Sequence, residues 1–236
     1  MMDSLPDQFH ALVIGASGGI GAAFADLLAA APRCASVTRL QRQGGPDGTP
    51  AIDLGDEDSV AAAAAALADG PRFSLIINAA GVLHNAAFMP EKRLADLSMA
   101  QLQATFLANT FGPALLLRHL VPLLDRERAI MAMLSAKVGS IGDNRLGGWY
   151  SYRASKAALN MLIKTAAIEV ARSQERSVLV ALHPGTVNSR LSRPFRGEHI
   201  GRPATVAAAD MLRVLDTLTP ADSGAFRSYD GAVLPW

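Results

Sequence analysis

Cysteine is almost missing: Cys34 stands alone among 236 residues. A lone thiol excludes an internal disulfide and a cysteine-rich metal site, and its place ahead of a probable strand reads as small apolar packing rather than a reactive group. Charge is sparse too. Only 18% of residues are Asp, Glu, Lys or Arg, and the formal net charge is +1, so there is no strongly basic face for nucleic acid. The densest basic stretch, Arg190, Arg193, Arg196 and Arg202, reads as a solvated loop. His10, His84, His119, His183 and His199 fall without metal-ligand spacing, which excludes a metal site of the usual kinds. No segment reaches the about 18 uninterrupted apolar residues of a membrane span. Met1 to Gln8 carry acids and lack the apolar run of a signal peptide. A cytoplasmic chain with neither a nucleic-acid nor a membrane partner is expected.

What is present is apolar residue in quantity, 50% of the chain, enough at this length for a large core. Short apolar runs alternate with longer segments of helical period, the pattern of repeated βαβ units. Strands are expected at His10–Ile14, Ser36–Leu40, Ala51–Asp53, Phe73–Asn78, Ala129–Ser135, Ser177–His183 and Phe226–Tyr229. Helices are expected at Gly18–Ala30, Asp56–Ala68, Trp149–Arg172 and Pro203–Leu218. A long helical stretch, Ser98–Leu124, should bend or break at Pro113 and Pro122. Neither a domain boundary nor an internal repeat is visible. The pattern predicts one α/β domain over 1–236: a doubly wound, Rossmann-type parallel sheet with helices on both faces and a substrate loop or lid near 184–202.

Gly15-Ala-Ser-Gly-Gly19-Ile-Gly21 lies where the first strand gives way to the first helix. Glycine permits the tight turn and a close approach of backbone to a pyrophosphate, while the helix N-terminus offers free N–H groups to the anion. Gly15, Ser17, Gly19, Ile20 and Gly21 are therefore candidate dinucleotide contacts. The same residues satisfy the bare G-x-S-x-G of a hydrolase, but a turn after the first strand is the wrong place for a nucleophile elbow. Asp53, with Leu54 beside it, and Asn78-Ala79-Ala80-Gly81 end later strands at the carboxyl edge where open α/β sheets bind ligands. The end of the second strand, Val37-Thr-Arg-Leu-Gln-Arg42, holds no acid for a ribose hydroxyl and two arginines for a 2′-phosphate. NADP(H) is thereby favoured over NAD(H), with Arg42 better placed than Arg39.

Tyr152-Arg-Ala-Ser-Lys156 opens a helix, so Tyr152 and Lys156 share a face one turn apart. A nearby ammonium favours the phenolate, which would let Tyr152 exchange a proton with a carbonyl or alcohol oxygen. Tyr150 competes, but only Tyr152 stands four residues before a lysine.

Taken together, Gly15-x-x-x-Gly19-x-Gly21, Asn78-Ala-Ala-Gly81, Asn109, Tyr152-x-x-x-Lys156 and Pro184-Gly185 resemble the short-chain dehydrogenase/reductase family over essentially the whole chain. Gly147 to Lys156 and the ending Tyr229 to Trp236 resemble its C-factor and sniffer-type carbonyl reductase branch. The resemblance implies that Tyr152 is the acid/base, that Lys156 lowers its pKa and holds the nicotinamide ribose, and that Asn109 holds a water relaying protons to Lys156. It places Pro184, Gly185 and the backbone around Val187 near the carboxamide, and Ser189 near the phosphates. A small carbonyl or alcohol is the implied substrate, and a monomer or homodimer the implied assembly.

One position departs from the family. Where a serine usually hydrogen-bonds the substrate oxygen, this chain has Ala136, and losing such a donor costs about 10²–10³ in rate. Ser135 is the first substitute considered, although neighbours on a regular strand face opposite ways. Ser140, a water, or no replacement are the alternatives. Ile14 and Ala79 replace a usual Thr and Asn, which weakens turn hydrogen bonds. Leu146, Trp149 and Leu191 are candidate apolar pocket residues, and His84 could border the same pocket. A nucleotide-binding regulatory protein with little turnover is the alternative function.

Overall fold

A computed structural model describes residues 2–45 and 48–236. Strands β1 (Phe9–Ile14), β2 (Cys34–Leu40), β3 (Leu75–Asn78), β4 (Ala129–Leu134), β5 (Ser177–His183) and β6 (Phe226–Ser228) form one sheet in the order β2-β1-β3-β4-β5-β6, every pair parallel. Helices α1 (Gly19–Ala29) and α7 (Ala204–Thr217) cover one face; α2 (Glu57–Leu67), α4 (Gly112–Leu120) and α5 (Tyr150–Val170) cover the other. Helix α3 (Met99–Phe106) packs against α5, and α6 (Gly197–Ile200) is a single turn.

The strands alternate as a period of two requires. Val13, Ile77, Ala132 and Val180 meet Phe24, Leu28 and Met211 on one side. Leu12, Ile76, Met131 and Leu179 meet Val60, Leu120 and Ile163 on the other. Central strands apolar on both faces, such as the fully buried Ala129–Leu134, are what a sheet covered on both sides demands.

The expected strand at Ala51–Asp53 does not form. Only an isolated bridge joins Ala51 to Gln41. The chain turns away at once, because Asp53 Oδ1 accepts from the Gly55 N–H at 2.9 Å and Asp56 caps α2 through the N–H groups of Asp58 and Ser59. The long helical stretch breaks near both prolines: just ahead of Pro113, and at Pro122, where α4 gives way to the 3₁₀ turn Val121–Leu123. Residues Leu107–Phe111 wind as a π-turn between α3 and α4. Pro113 has no N–H to give to the carbonyl four residues back, which is that of Asn109. Gly112 then lets the helix touch Leu54, whose Cβ would lie 2.6 Å from any side chain added there.

Register aligns the carboxyl ends. Ile14 pairs with both Leu40 and Asn78, and Asn78 pairs with Met133. From β1 the chain crosses to β2 on one side and later returns to β3 on the other, so the loops after β1 and β3 diverge around a crevice.

Candidate active site

The glycine turn lies in that crevice. Gly15 has φ +79°, and a Cβ on it would come 2.8 Å from the Ala80 nitrogen; a Cβ on Gly21 would come 2.2 Å from the Gly15 carbonyl oxygen. Both glycines therefore serve the protein's own packing. Gly19 differs, because a Cβ there meets nothing within 4 Å. Ser17 and Gly19 are exposed at the tip, Ile20 is half-buried, and no side chain of Gly18 caps α1. The open space beside Gly19 lies at the N-terminus of α1, where first-turn N–H groups have no intrahelical partner, and this fits a pyrophosphate.

The neighbouring loop is pinned. Asn78, 1% exposed, accepts from the Ala80 N–H at 3.1 Å, and the Ala79 N–H donates to the Ile14 carbonyl at 2.9 Å. A Cβ on Gly81 would approach Asn109 Oδ1 at 3.2 Å and Lys156 Nζ at 3.5 Å. Asn109, inside the π-turn and fully buried, spends its amide on Val82: Oδ1 accepts from the N–H and Nδ2 donates to the carbonyl, each at 2.8 Å. Its amide clamps the loop, so the atom of Asn109 that lacks an i+4 helical donor is the main-chain carbonyl opposite Pro113.

Tyr152 and Lys156 enter from α5. Lys156, 4% exposed, donates from Nζ to the Leu134 carbonyl at the end of β4 (2.8 Å), and the same nitrogen lies 5.9 Å from the Tyr152 ring centroid. Burial pushes the Lys156 ammonium down to about 8 and the Tyr152 phenol above its ordinary range. The direction for Tyr152 is opposite to that expected from a neighbouring cation, because desolvation of the phenolate outweighs an ammonium engaged by a carbonyl. Gly139 allows this approach: a Cβ there would lie 2.7 Å from that of Lys156. Ser155 joins the set, donating to the Tyr152 carbonyl at 2.8 Å and receiving Asn109 Nδ2 at 3.2 Å.

The hydroxyls considered as substitutes for the missing serine are committed elsewhere. Ser135 donates to Asn160 Oδ1 at 2.6 Å inside the core. Ser140 receives the Asp143 N–H and reaches the Trp236 carbonyl at 3.4 Å. Ala136 itself is half-buried, with its carbonyl accepting from the Gly139 N–H.

After β5, Pro184 and Gly185 turn the chain, Gly185 with φ +73° and a Tyr229 ring carbon 2.7 Å from where its Cβ would be. Val187 is buried and bridged to Arg202, and Ser189 bonds Ser192 within the same loop. Arg193 pairs with Glu198 and Arg202 with Asp210, so two of the four loop arginines already have acidic partners. The loop reaches over the site. His84 Nε2 lies 3.1 Å from the Leu191 carbonyl, and the Phe195 ring lies 5.9 Å from that of His84 and 4.9 Å from that of Trp149. Trp149 meets Tyr152 edge-on at 6.2 Å. Leu146, by contrast, is 92% exposed. Phe195 escaped the sequence reading because nothing local marks a loop aromatic as a lid. His183 accepts the Lys137 N–H on Nδ1 at 3.2 Å, and burial holds it down at about 4.

At the carboxyl end of β2, Arg42 is exposed, while Arg39 pairs with Asp26 of α1 at 2.9 Å. Asp53 is exposed, with one oxygen on the Gly55 N–H, and Leu54 lies against Gly112. Among the described residues no group of three or more His, Cys, Asp or Glu side chains could hold a metal, and no helix is long and apolar enough to cross a membrane.

The family model for short chain dehydrogenase matches residues 9–199. The chain belongs to this family. Similar proteins include 1-hydroxy-2-glutathionyl-2-methyl-3-butene dehydrogenase of Rhodococcus sp. (strain AD45), 36% identical over 79% of each chain. C-signal of Myxococcus xanthus is 37% identical over 61% of this chain and 83% of its own. Among solved structures, NADPH-bound carbonyl reductase from chicken fatty liver superposes with a TM-score of 0.81 at 27% identity, over 98% of this chain and 100% of that one. Carbonyl reductase Sniffer of D. melanogaster gives the same TM-score at 22% identity, over 98% and 100% of the two chains, and speaks to the fold alone. The chain is thus a member of an oxidoreductase family and is similar to C-signal over most of that protein's length.

Proposed function

We propose that the chain is an NADP(H)-linked reductase of small aldehydes or ketones, working in the cytoplasm and able to run in reverse on alcohols. The observation that carries this reading is the burial of Tyr152 and Lys156 together, beside Asn109 and Gly81, at the same sheet edge as the glycine turn. Ser17, Gly19 and Ile20 would hold the pyrophosphate, on a turn that Gly15 and Gly21 keep tight. Arg42 would hold the 2′-phosphate, with Asp53, Leu54 and Asn78 to Gly81 around the adenosine and Pro184, Gly185, Val187 and Ser189 around the nicotinamide end. The dinucleotide, when bound, supplies or accepts hydride at the carbonyl carbon.

The chain's own residues handle the proton. A protonated phenol is the form that burial imposes on Tyr152, and it is the form needed to donate to a carbonyl oxygen as that oxygen becomes an alkoxide. Lys156, lowered by burial to about 8, would exchange protons through a water that the Asn109 carbonyl would hold. Trp149, edge-on to Tyr152 and packed on Phe195, would shield the phenol from solvent. NADPH consumption with a panel of carbonyls tests the reading, and Tyr152→Phe is expected to lose at least 10²-fold in turnover. Full turnover in that variant would refute the role.

A second reading has an observation of its own. Ala136 offers no donor, and the hydroxyls of Ser135 and Ser140 are engaged elsewhere. On that reading the chain is a dinucleotide-binding regulator with little turnover, a reading that its similarity to C-signal also favours. NADPH binding without carbonyl reduction, unrestored by Ala136→Ser, would decide for it. A gain of ten-fold or more in Ala136→Ser, about 1.4 kcal/mol in barrier, would decide for the enzyme.

A further inference from the structure

Glu91 is a carboxyl group that this mechanism leaves unused, and it is 2% exposed. Both of its carboxyl oxygens go to one residue. Oε2 accepts from the Ser151 N–H at 3.2 Å, and Oε1 accepts from the Ser151 hydroxyl. Its main-chain carbonyl accepts from the Trp149 N–H. Tyr152 follows Ser151 directly in the chain.

The approach to α5 explains why such a hold is needed. Gly147, Gly148 and Trp149 have φ of +64°, +65° and +53°. L-residues visit this left-handed region singly rather than in succession, and for a tryptophan the conformation is strained. Most helices begin with an extended residue whose own side chain takes a first-turn N–H. Trp149 makes no such bond. Glu91 provides it from a segment 60 residues earlier. Arg153 braces the other side, donating to the Gly148 carbonyl at 3.0 Å and the Val138 carbonyl at 3.1 Å.

We infer that Glu91 is a positioning residue for Tyr152: it caps α5 from outside the helix, holds the left-handed turn in place, and so fixes where the phenol stands relative to Lys156. It acts through Ser151. The functional side of this inference rests on the assignment of Tyr152 as the acid/base.

The test uses the full-length chain and three variants, Glu91→Ala, Glu91→Gln and Ser151→Ala. Glutamine keeps an oxygen for the Ser151 N–H and places an amide against the hydroxyl. Glu91→Ala is expected to lower kcat at least ten-fold while KM for NADPH stays within about two-fold, since the glycine turn lies on other elements. Glu91→Gln is expected to recover kcat to within about three-fold of the parent. Amide exchange at Ser151 to Arg153 should quicken at least ten-fold in Glu91→Ala and stay near the parent rate in Glu91→Gln. Exchange is read without turnover, so it decides the capping even if the parent reduces no carbonyl, a result that would sink the functional assignment instead. Parent-like kcat and exchange in Glu91→Ala would overturn the inference. So would a loss that glutamine fails to restore, or equal losses in kcat and NADPH affinity. Should Glu91→Ala fail to fold, Ser151→Ala carries the same kcat-against-KM split at smaller size, and parent-like kcat and exchange there would overturn it.

Discussion

Replacing Lys156 with methionine probes the most consequential electrostatic feature of the site. The folded chain depresses this ammonium from 10.5 to about 8 by burial. Between those values the unfolded chain binds the extra proton, so stability must rise with pH across that window. At about 1.4 kcal/mol per pH unit, the penalty is about 3 kcal/mol at pH 7 and falls to about 1 kcal/mol at pH 10. Methionine removes the penalty, and it also removes the bond to the Leu134 carbonyl, a loss of about 1–3 kcal/mol. The two nearly cancel at neutral pH, so a single melting curve says little. The slope is the observable. Urea titrations at pH 7, 8, 9 and 10 without cofactor should show the parent gaining about 2 kcal/mol relative to Lys156→Met. The comparison stops at pH 10 because Tyr152, raised by burial, takes stability away above that point. Parallel pH dependences for the two proteins would refute a desolvated ammonium beside Tyr152.

Further outcomes follow from the cofactor cradle. Gly21→Ala forces a methyl against the Gly15 carbonyl at 2.2 Å and should destabilise the fold by about 1–3 kcal/mol or more in urea melts. Gly19→Ala should leave the melt within about 0.5 kcal/mol, because its methyl enters open space, yet weaken NADPH binding at least ten-fold by calorimetry. Equal melts for the two variants would contradict the assignment of packing to one glycine and ligand space to the other. Arg42→Ala should raise KM for NADPH about ten-fold or more and leave KM for NADH unchanged; equal changes for both would mean that another group reads the 2′-phosphate.

Much of this protein was legible in order along the chain. Alternating apolar runs announced a parallel sheet because burial on both faces leaves no polar position in strands such as Ala129–Leu134. Gly15 to Gly21 and Tyr152-x-x-x-Lys156 were legible for a similar reason: tight turns and helical spacing are local rules that a few neighbouring residues obey by themselves. Three features depended on contacts between distant segments. The Ser135 hydroxyl turned out to serve Asn160, since its direction depends on a helix 25 residues away. The Asn109 amide turned out to clamp Val82, while Pro113 set the π-turn that positions it. Glu91 gave no sign at all, because a carboxyl group that caps a helix from 60 residues away has no local pattern to display. Composition and spacing select the backbone; which polar atoms face the site is settled only when packing assigns each buried donor and acceptor a partner.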